Sequence, residues 1–164
     1  MLIYKCKEVN KMKYKTKEKI QKWLDELIQE NELKVIRDKD FSINIEDGIV
    51  TWGLLENNYW VFKSFENLCK NKLDYPVRYD IMSFLHELGH YFTLDLLNNF
   101  QFYYSIKMKK LIFKLCKKFP RYYSKFNYLY QRLPDEKAAT MFACDFANQL
   151  PEEIKKLEEI LENE

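Results

Sequence analysis

The stretch Met82–Phe92 reads MSFLHELGHYF, and it constrains the chain more than any other segment. Ile81, Phe84, Leu85, Leu88 and Phe92 set apolar residues around His86, Glu87 and His90 rather than on one opposite face. A helix that is apolar on more than one side is a buried helix. The fold must therefore be assembled around this segment, with its two histidines inside. Those histidines are the only ones among 164 residues.

Residues four apart on a helix lie one turn apart on the same face. His86 and His90 can thus point at one metal ion, each about 2.0–2.1 Å from a zinc. Glu87 is offset around the helix and can reach a metal-bound water without being a ligand. Zinc lowers the pKa of that water towards about 7, and a carboxylate can then take its proton. This is the H-E-x-x-H arrangement of zinc peptidases. The competing reading is a pair of ordinary helical histidines, since three fixed positions recur by chance in unrelated proteins. Against it stand the absence of histidine elsewhere and the apolar surroundings. Gly89 adds to the case: it removes a side chain where a metal or a neighbouring element must come close, at a cost to the helix.

A catalytic zinc needs a third protein ligand and one open position. No third histidine exists, which excludes the metzincin extension and leaves Asp, Glu, Cys or Tyr. Glu136 is the favoured residue. It opens a helix in which Ala139, Thr140 and Ala143 follow at i+3, i+4 and i+7. That small face lets the helix pack close enough for a short carboxylate to reach the metal. Asp135 and Asp145 remain alternatives, and the plain reading of Glu136 is an acid favoured by the helix dipole.

The rest of the chain supplies the frame. Ile20, Trp23, Leu24, Leu27 and Ile28 fall on one stripe of a helix beginning near Thr16, a suitable N-cap. The period then becomes two. Phe41, Ile43 and Ile45 alternate with polar residues, Asp47-Gly48 is a hairpin signal, and Ile49–Trp52 and Tyr59–Phe62 are rich in strand formers. These segments predict a meander of three antiparallel strands. The motif helix is expected over roughly Asp80 to Leu97, with two further helical runs broken near Pro120. A helix from Pro134-Asp135 and an acidic amphipathic helix from Pro151 complete the chain.

At this length a single domain with a real core is expected over residues 1–164. The net charge of +2 says little about partners. Cys6, Cys69, Cys116 and Cys144 form no C-x-x-C pair, so free thiols in a reducing cytoplasm are expected. Charges interrupt the N-terminal apolar residues too early for a secretory signal, and no window approaches a membrane span.

Taken together, the two motifs resemble those of the ImmA/IrrE family of zinc metallopeptidases. His86-Glu87-Leu88-Gly89-His90 is the first. Glu136-Lys137-Ala138-Ala139-Thr140-Met141-Phe142-Ala143 matches E-x-x-A-x-x-F-A at its four fixed positions, and Pro151 follows. The resemblance covers roughly Ile20 to Pro151. It implies an α+β fold: a mainly helical, zincin-like domain with a small three-stranded antiparallel sheet. It also implies one zinc held by His86, His90 and Glu136, with Glu87 as general base. The implied substrate is a regulatory protein, such as the DNA-binding repressor of a mobile genetic element. Peptide deformylases share the first motif but take a cysteine ligand from a glycine-containing motif that is missing here.

One departure from that family is a longer gap between His90 and Glu136. The extra length is a basic, aromatic segment over about residues 98–133, in which Lys107, Lys109, Lys110, Lys114, Lys117, Lys118, Arg121, Lys125 and Arg132 interleave with Phe and Tyr. Ile106, Leu111, Ile112 and Leu115 suit amphipathic helices with lysines facing water. The segment can equally be a face for an acidic protein partner. Direct nucleic-acid contact is disfavoured, because no binding motif is visible and the overall charge is almost neutral. The alternative to an enzyme is a non-catalytic, metal-containing interaction module working through residues 106–132. Tyr91, Tyr103 and Tyr104 are available to stabilise an oxyanion, and the sequence does not choose among them.

Overall fold

The computed structural model describes residues 18–27, 34–37, 49–52, 69 and 71–162. Helix α1 covers residues 18–27. Strands β1 (Lys34–Arg37) and β2 (Ile49–Trp52) follow. The remainder is helical: α2 (Tyr79–Phe92), α3 (Asn99–Lys118), α4 (Tyr123–Tyr130), α5 (Pro134–Gln149) and α6 (Pro151–Glu162). Short 3-10 turns at Leu94–Leu96 and Pro120–Tyr122 join α2 to α3 and α3 to α4.

The expected three-stranded antiparallel sheet is overturned among the described residues. β2 pairs with β1, and the pairing is parallel, with Lys34 opposite Ile49 and Arg37 opposite Trp52. Alternation of apolar residues marks a strand, but it carries no information about partner or direction. The charged residues at both ends of Lys34–Arg37 left β1 without the run of strand formers that marks Ile49–Trp52. Phe41–Ile45, Asp47-Gly48 and Tyr59–Phe62 lie outside the described residues, as do Thr16, Ile28 and Cys6.

The core forms where α1, α2, α5 and α6 meet. Ile20, Trp23 and Leu24 of α1 are buried there, and Leu27 packs at the margin. Trp23 meets Phe84 and Phe146 edge-to-face, at 6.0 and 6.2 Å between ring centres. Its indole N–H donates to Glu153 Oε2 at 2.8 Å, which ties α1 to α6. The acidic helix buries Ile154, Leu157 and Leu161 and turns its charges outward. A loop before α2 is held to the end of α5: the Tyr75 hydroxyl donates to the Ala147 carbonyl at 2.7 Å, and Asn148 bonds to the backbone of Lys72 and Asp74.

Helix α2 sits at the centre, and every residue from Ile81 to His90 is buried. Arg78 braces its start by pairing with Asp80. It ends at Phe92, short of the expected Leu97. The Thr93 hydroxyl donates to the Gly89 carbonyl at 2.7 Å, and the chain tightens into the 3-10 turn. Phe92, expected among the buried residues, is at the exposed end of the helix and stacks on Phe142. β2 runs beside α2.

The basic segment folds as α3 and α4, broken at Pro120 as expected. A reciprocal capping box starts α3: Asn98 Oδ1 accepts from Gln101 N at 2.8 Å, and Gln101 Oε1 accepts from Asn98 N at 3.1 Å. The burial pattern differs from expectation. α3 buries Ser105 and Ile112, whereas Ile106 and Leu111 are exposed. Among the described residues, no helix is long and apolar enough to cross a membrane.

Candidate metal centre

The site is made where α2 crosses α5. Gly89 permits the crossing: a Cβ there would lie 2.7 Å from the Ala139 carbonyl oxygen and 2.9 Å from the Ala139 Cα. Those are backbone atoms and cannot swing aside. The element that needs the glycine is therefore helix α5. Ala139, Thr140, Ala143 and Ala147 form the buried face it presents.

This crossing brings the three expected ligands together. His86 Nε2 lies 3.2 Å from Glu136 Oε2, and His90 Nε2 lies 3.4 Å from Glu136 Oε1. The ligand atoms of all three residues lie within 4.8 Å of one another. Donor atoms about 2.0–2.1 Å from a tetrahedral metal are separated by about 3.3 Å, so the spacing of each imidazole from the carboxylate suits one ion. His86, His90 and Glu136 can hold a metal. Asp145, an alternative from the sequence, is exposed on α5. Asp135 stands next to Glu136 but is engaged by a lysine.

Thr140 prepares the first ligand. Its hydroxyl donates to the Glu136 carbonyl at 2.8 Å and lies 3.1 Å from His86 Nδ1. A hydroxyl has one proton. With that proton given to the carbonyl, the oxygen can only accept from His86, which assigns the proton to Nδ1 and leaves Nε2 unprotonated. Burial lowers the pKa of His86, more than Glu136 raises it, and favours the neutral imidazole that metals bind. Burial alone would raise Glu136. Its neighbours His90, His86 and Lys109 outweigh it and hold the carboxyl well below its usual range. An unprotonated nitrogen facing a carboxylate oxygen is two acceptors in contact. A cation between them resolves that opposition, so the donor set fits a metal.

Glu87 lies beside these ligands and is buried, with neither oxygen hydrogen-bonded. Burial, reinforced by the Glu136 charge, raises its pKa well above the ordinary value.

Two residues of the basic segment lie at the same site, and neither carries a direct signature in the sequence. Lys109 of α3 forms ion pairs with Asp135 and Glu136. Burial, its largest influence, would lower the Lys109 pKa, but the two carboxylates outweigh that and raise it. Tyr130, at the end of α4, lies near Glu136; burial first, and then that carboxylate, raises its phenol. Tyr103 and Tyr104, by contrast, are exposed on α3. The one available clue to Lys109 is spacing. Lys107, Lys110, Lys114 and Lys117 share a helical face that Lys109 does not.

Compared with protein-family models, curated proteins and solved structures, the chain matches none.

Proposed function

We propose that the chain is a zinc-dependent metallopeptidase of the ImmA/IrrE kind, acting on a regulatory protein such as the repressor of a mobile element. The observation that carries this reading is the convergence of His86, His90 and Glu136 around a point flanked by the unpartnered carboxylate of Glu87. Two histidines and a glutamate with a position left open make a catalytic rather than a structural donor set, and zinc suits it.

When bound, zinc would polarise the scissile carbonyl and acidify a water. His86, His90 and Glu136 would hold it, with the imidazole of His86 oriented by Thr140. Glu87 would accept the proton of the attacking water and pass it to the leaving amine. Its raised proton affinity suits that exchange, because a general base works best with a pKa near the working pH. Tyr130, whose phenol lies near Glu136, is a candidate donor to the negative charge that would build on the substrate carbonyl oxygen.

The test pairs metal content with cleavage. Wild-type protein supplied with zinc should carry about one ion per chain, and His86→Ala should lose most of it. Incubated with a peptide library and read by mass spectrometry of new N-termini, wild type should cut, while Glu87→Gln keeps its metal and loses cleavage by about 1,000-fold or more. A wild type that takes up no stoichiometric metal sinks the metal assignment. Undiminished cutting by Glu87→Gln sinks its assignment as the base.

A further inference from the structure

The basic segment enters the metal centre through one inward-turned lysine. Lys107, Lys110, Lys114 and Lys117 recur at steps of three and four and are exposed along α3. Lys109 falls off that stripe, and its side chain is only 20% exposed. Its ammonium contacts Asp135 Oδ2 and Glu136 Oε1 and stands 5.3 Å from the centre of the Tyr130 ring.

The contact with Glu136 is the informative one. Asp135 alone would give a half-buried ammonium its counter-charge. Glu136 Oε1 is also the oxygen that faces His90 Nε2 at 3.4 Å. One carboxylate of the donor set is therefore addressed by an ammonium on one side and by two imidazoles on the other. Charge points the same way. Glu87, Asp135 and Glu136 carry three negative charges when ionised. A divalent ion and Lys109 together balance them, but these two cations repel each other across Glu136.

We propose that Lys109 is a positioning residue that shares Glu136 with the metal and holds metal affinity below what His86, His90 and Glu136 would give alone. The proposal rests on the metal reading above but not on peptidase chemistry. It has a structural consequence. By engaging Asp135, Lys109 keeps a second carboxylate out of the donor set. A site closed by four protein ligands is structural, whereas three ligands leave room for a substrate. The segment that lengthens the gap between the two motifs thereby guards the open position.

The experiment is a zinc titration in competition with a chromophoric chelator, on the full chain, with zinc as the only added ion. Lys109→Met keeps an apolar stem and removes the charge; it should tighten zinc binding by roughly tenfold or more, within the range over which neighbours of ligands tune metal affinity. Lys109→Arg should stay near wild type. Asp135→Asn leaves Glu136 as the remaining charged partner of Lys109 and should weaken binding by about tenfold. A lysine that only buttresses the fold gives the opposite sign in Lys109→Met, with affinity falling alongside stability. Unchanged or weaker binding by Lys109→Met overturns the proposal. Should that variant fail to fold, unchanged binding by Asp135→Asn does the same. If neither wild type nor Lys109→Met binds zinc, the metal reading fails and this proposal with it. If wild type binds and the variants match it, the role of Lys109 alone is wrong.

Discussion

Helices α2 and α3 meet the same carboxylate by different means. α2 is buried from Ile81 to His90, so its position is set by what surrounds it. α3 is longer, yet it buries Ser105 and Ile112 and exposes Phe100, Tyr103, Leu111 and Phe113. Local rules hold it together: a capping box at its start, and Lys117 and Lys118 beside the negative end of its dipole. The difference teaches where precision comes from. The candidate ligands His86 and His90 inherit theirs from packing. Lys109 is located by its ion pairs to Asp135 and Glu136.

The sharpest way to break that contrast is at Gly89. Gly89→Ala would drive a methyl group into the backbone of Ala139. Alanine gains about 1 kcal/mol in helix propensity, but overpacking against an immovable backbone should cost more, for a net loss of at least about 2 kcal/mol. Because the clash lies between the two ligand-bearing helices, metal binding should fall with it. Urea denaturation and zinc titration check the pair. A variant as stable as wild type would mean that α5 can retreat freely, and that packing does not fix the ligands.

How much of this was legible follows the same division. Helix starts announced themselves locally: Pro134 and Pro151 each begin a helix, and the break near Pro120 is present. The convergence of the three candidate ligands is readable because i, i+4 spacing and a small-residue face are one-dimensional signals of a three-dimensional crossing. The sheet was misread because strand direction is a long-range property that alternation does not encode. The early end of α2 had no local signal: the Thr93 N–H and hydroxyl both reach the Gly89 carbonyl as the chain tightens into the 3-10 turn. Beyond the offset of Lys109 from the lysine stripe, nothing in a basic, aromatic run says which member turns inward; the docking of α3 and α4 on α5 decides it for Lys109 and Tyr130.

A middling effect is expected at Glu87, with a sign opposite to that of most core substitutions. Its ordinary pKa near 4.5 is raised in the folded chain by burial and by Glu136. A raised folded value means that its contribution to stability is intact below about pH 4.5 and is lost as pH rises through the folded value. In metal-free protein at pH 8, Glu87→Gln removes a buried, unpartnered carboxyl whose ionisation the fold opposes, and should stabilise the fold by about 1–3 kcal/mol. The gap should close near pH 4. On the proposed function, the variant would be both the more stable protein and the one that does not cleave, a trade expected of a site built for chemistry. Denaturation curves across this pH range decide it, and a destabilised variant at pH 8 would reveal a partner for the carboxylate.

The smallest effect is expected on the outer face of α3. Tyr103 is 69% exposed, and Tyr103→Ser should change stability by no more than about 0.5 kcal/mol. Zinc affinity should not change, because Tyr103 is exposed and stands about 120° around the helix from Lys109. The value of so small an effect is as a control on the comparison. If Tyr103→Ser lowers stability in a way that depends on protein concentration, α3 is being covered by another copy of the chain, and its local rules are not what hold it. If it shifts zinc affinity instead, α3 transmits strain to Lys109, and the two helices are one packed unit. A null result in both leaves α3 as a free-standing carrier of Lys109. The affinity change in Lys109→Met can then be read as the loss of a charge rather than the loss of a fold.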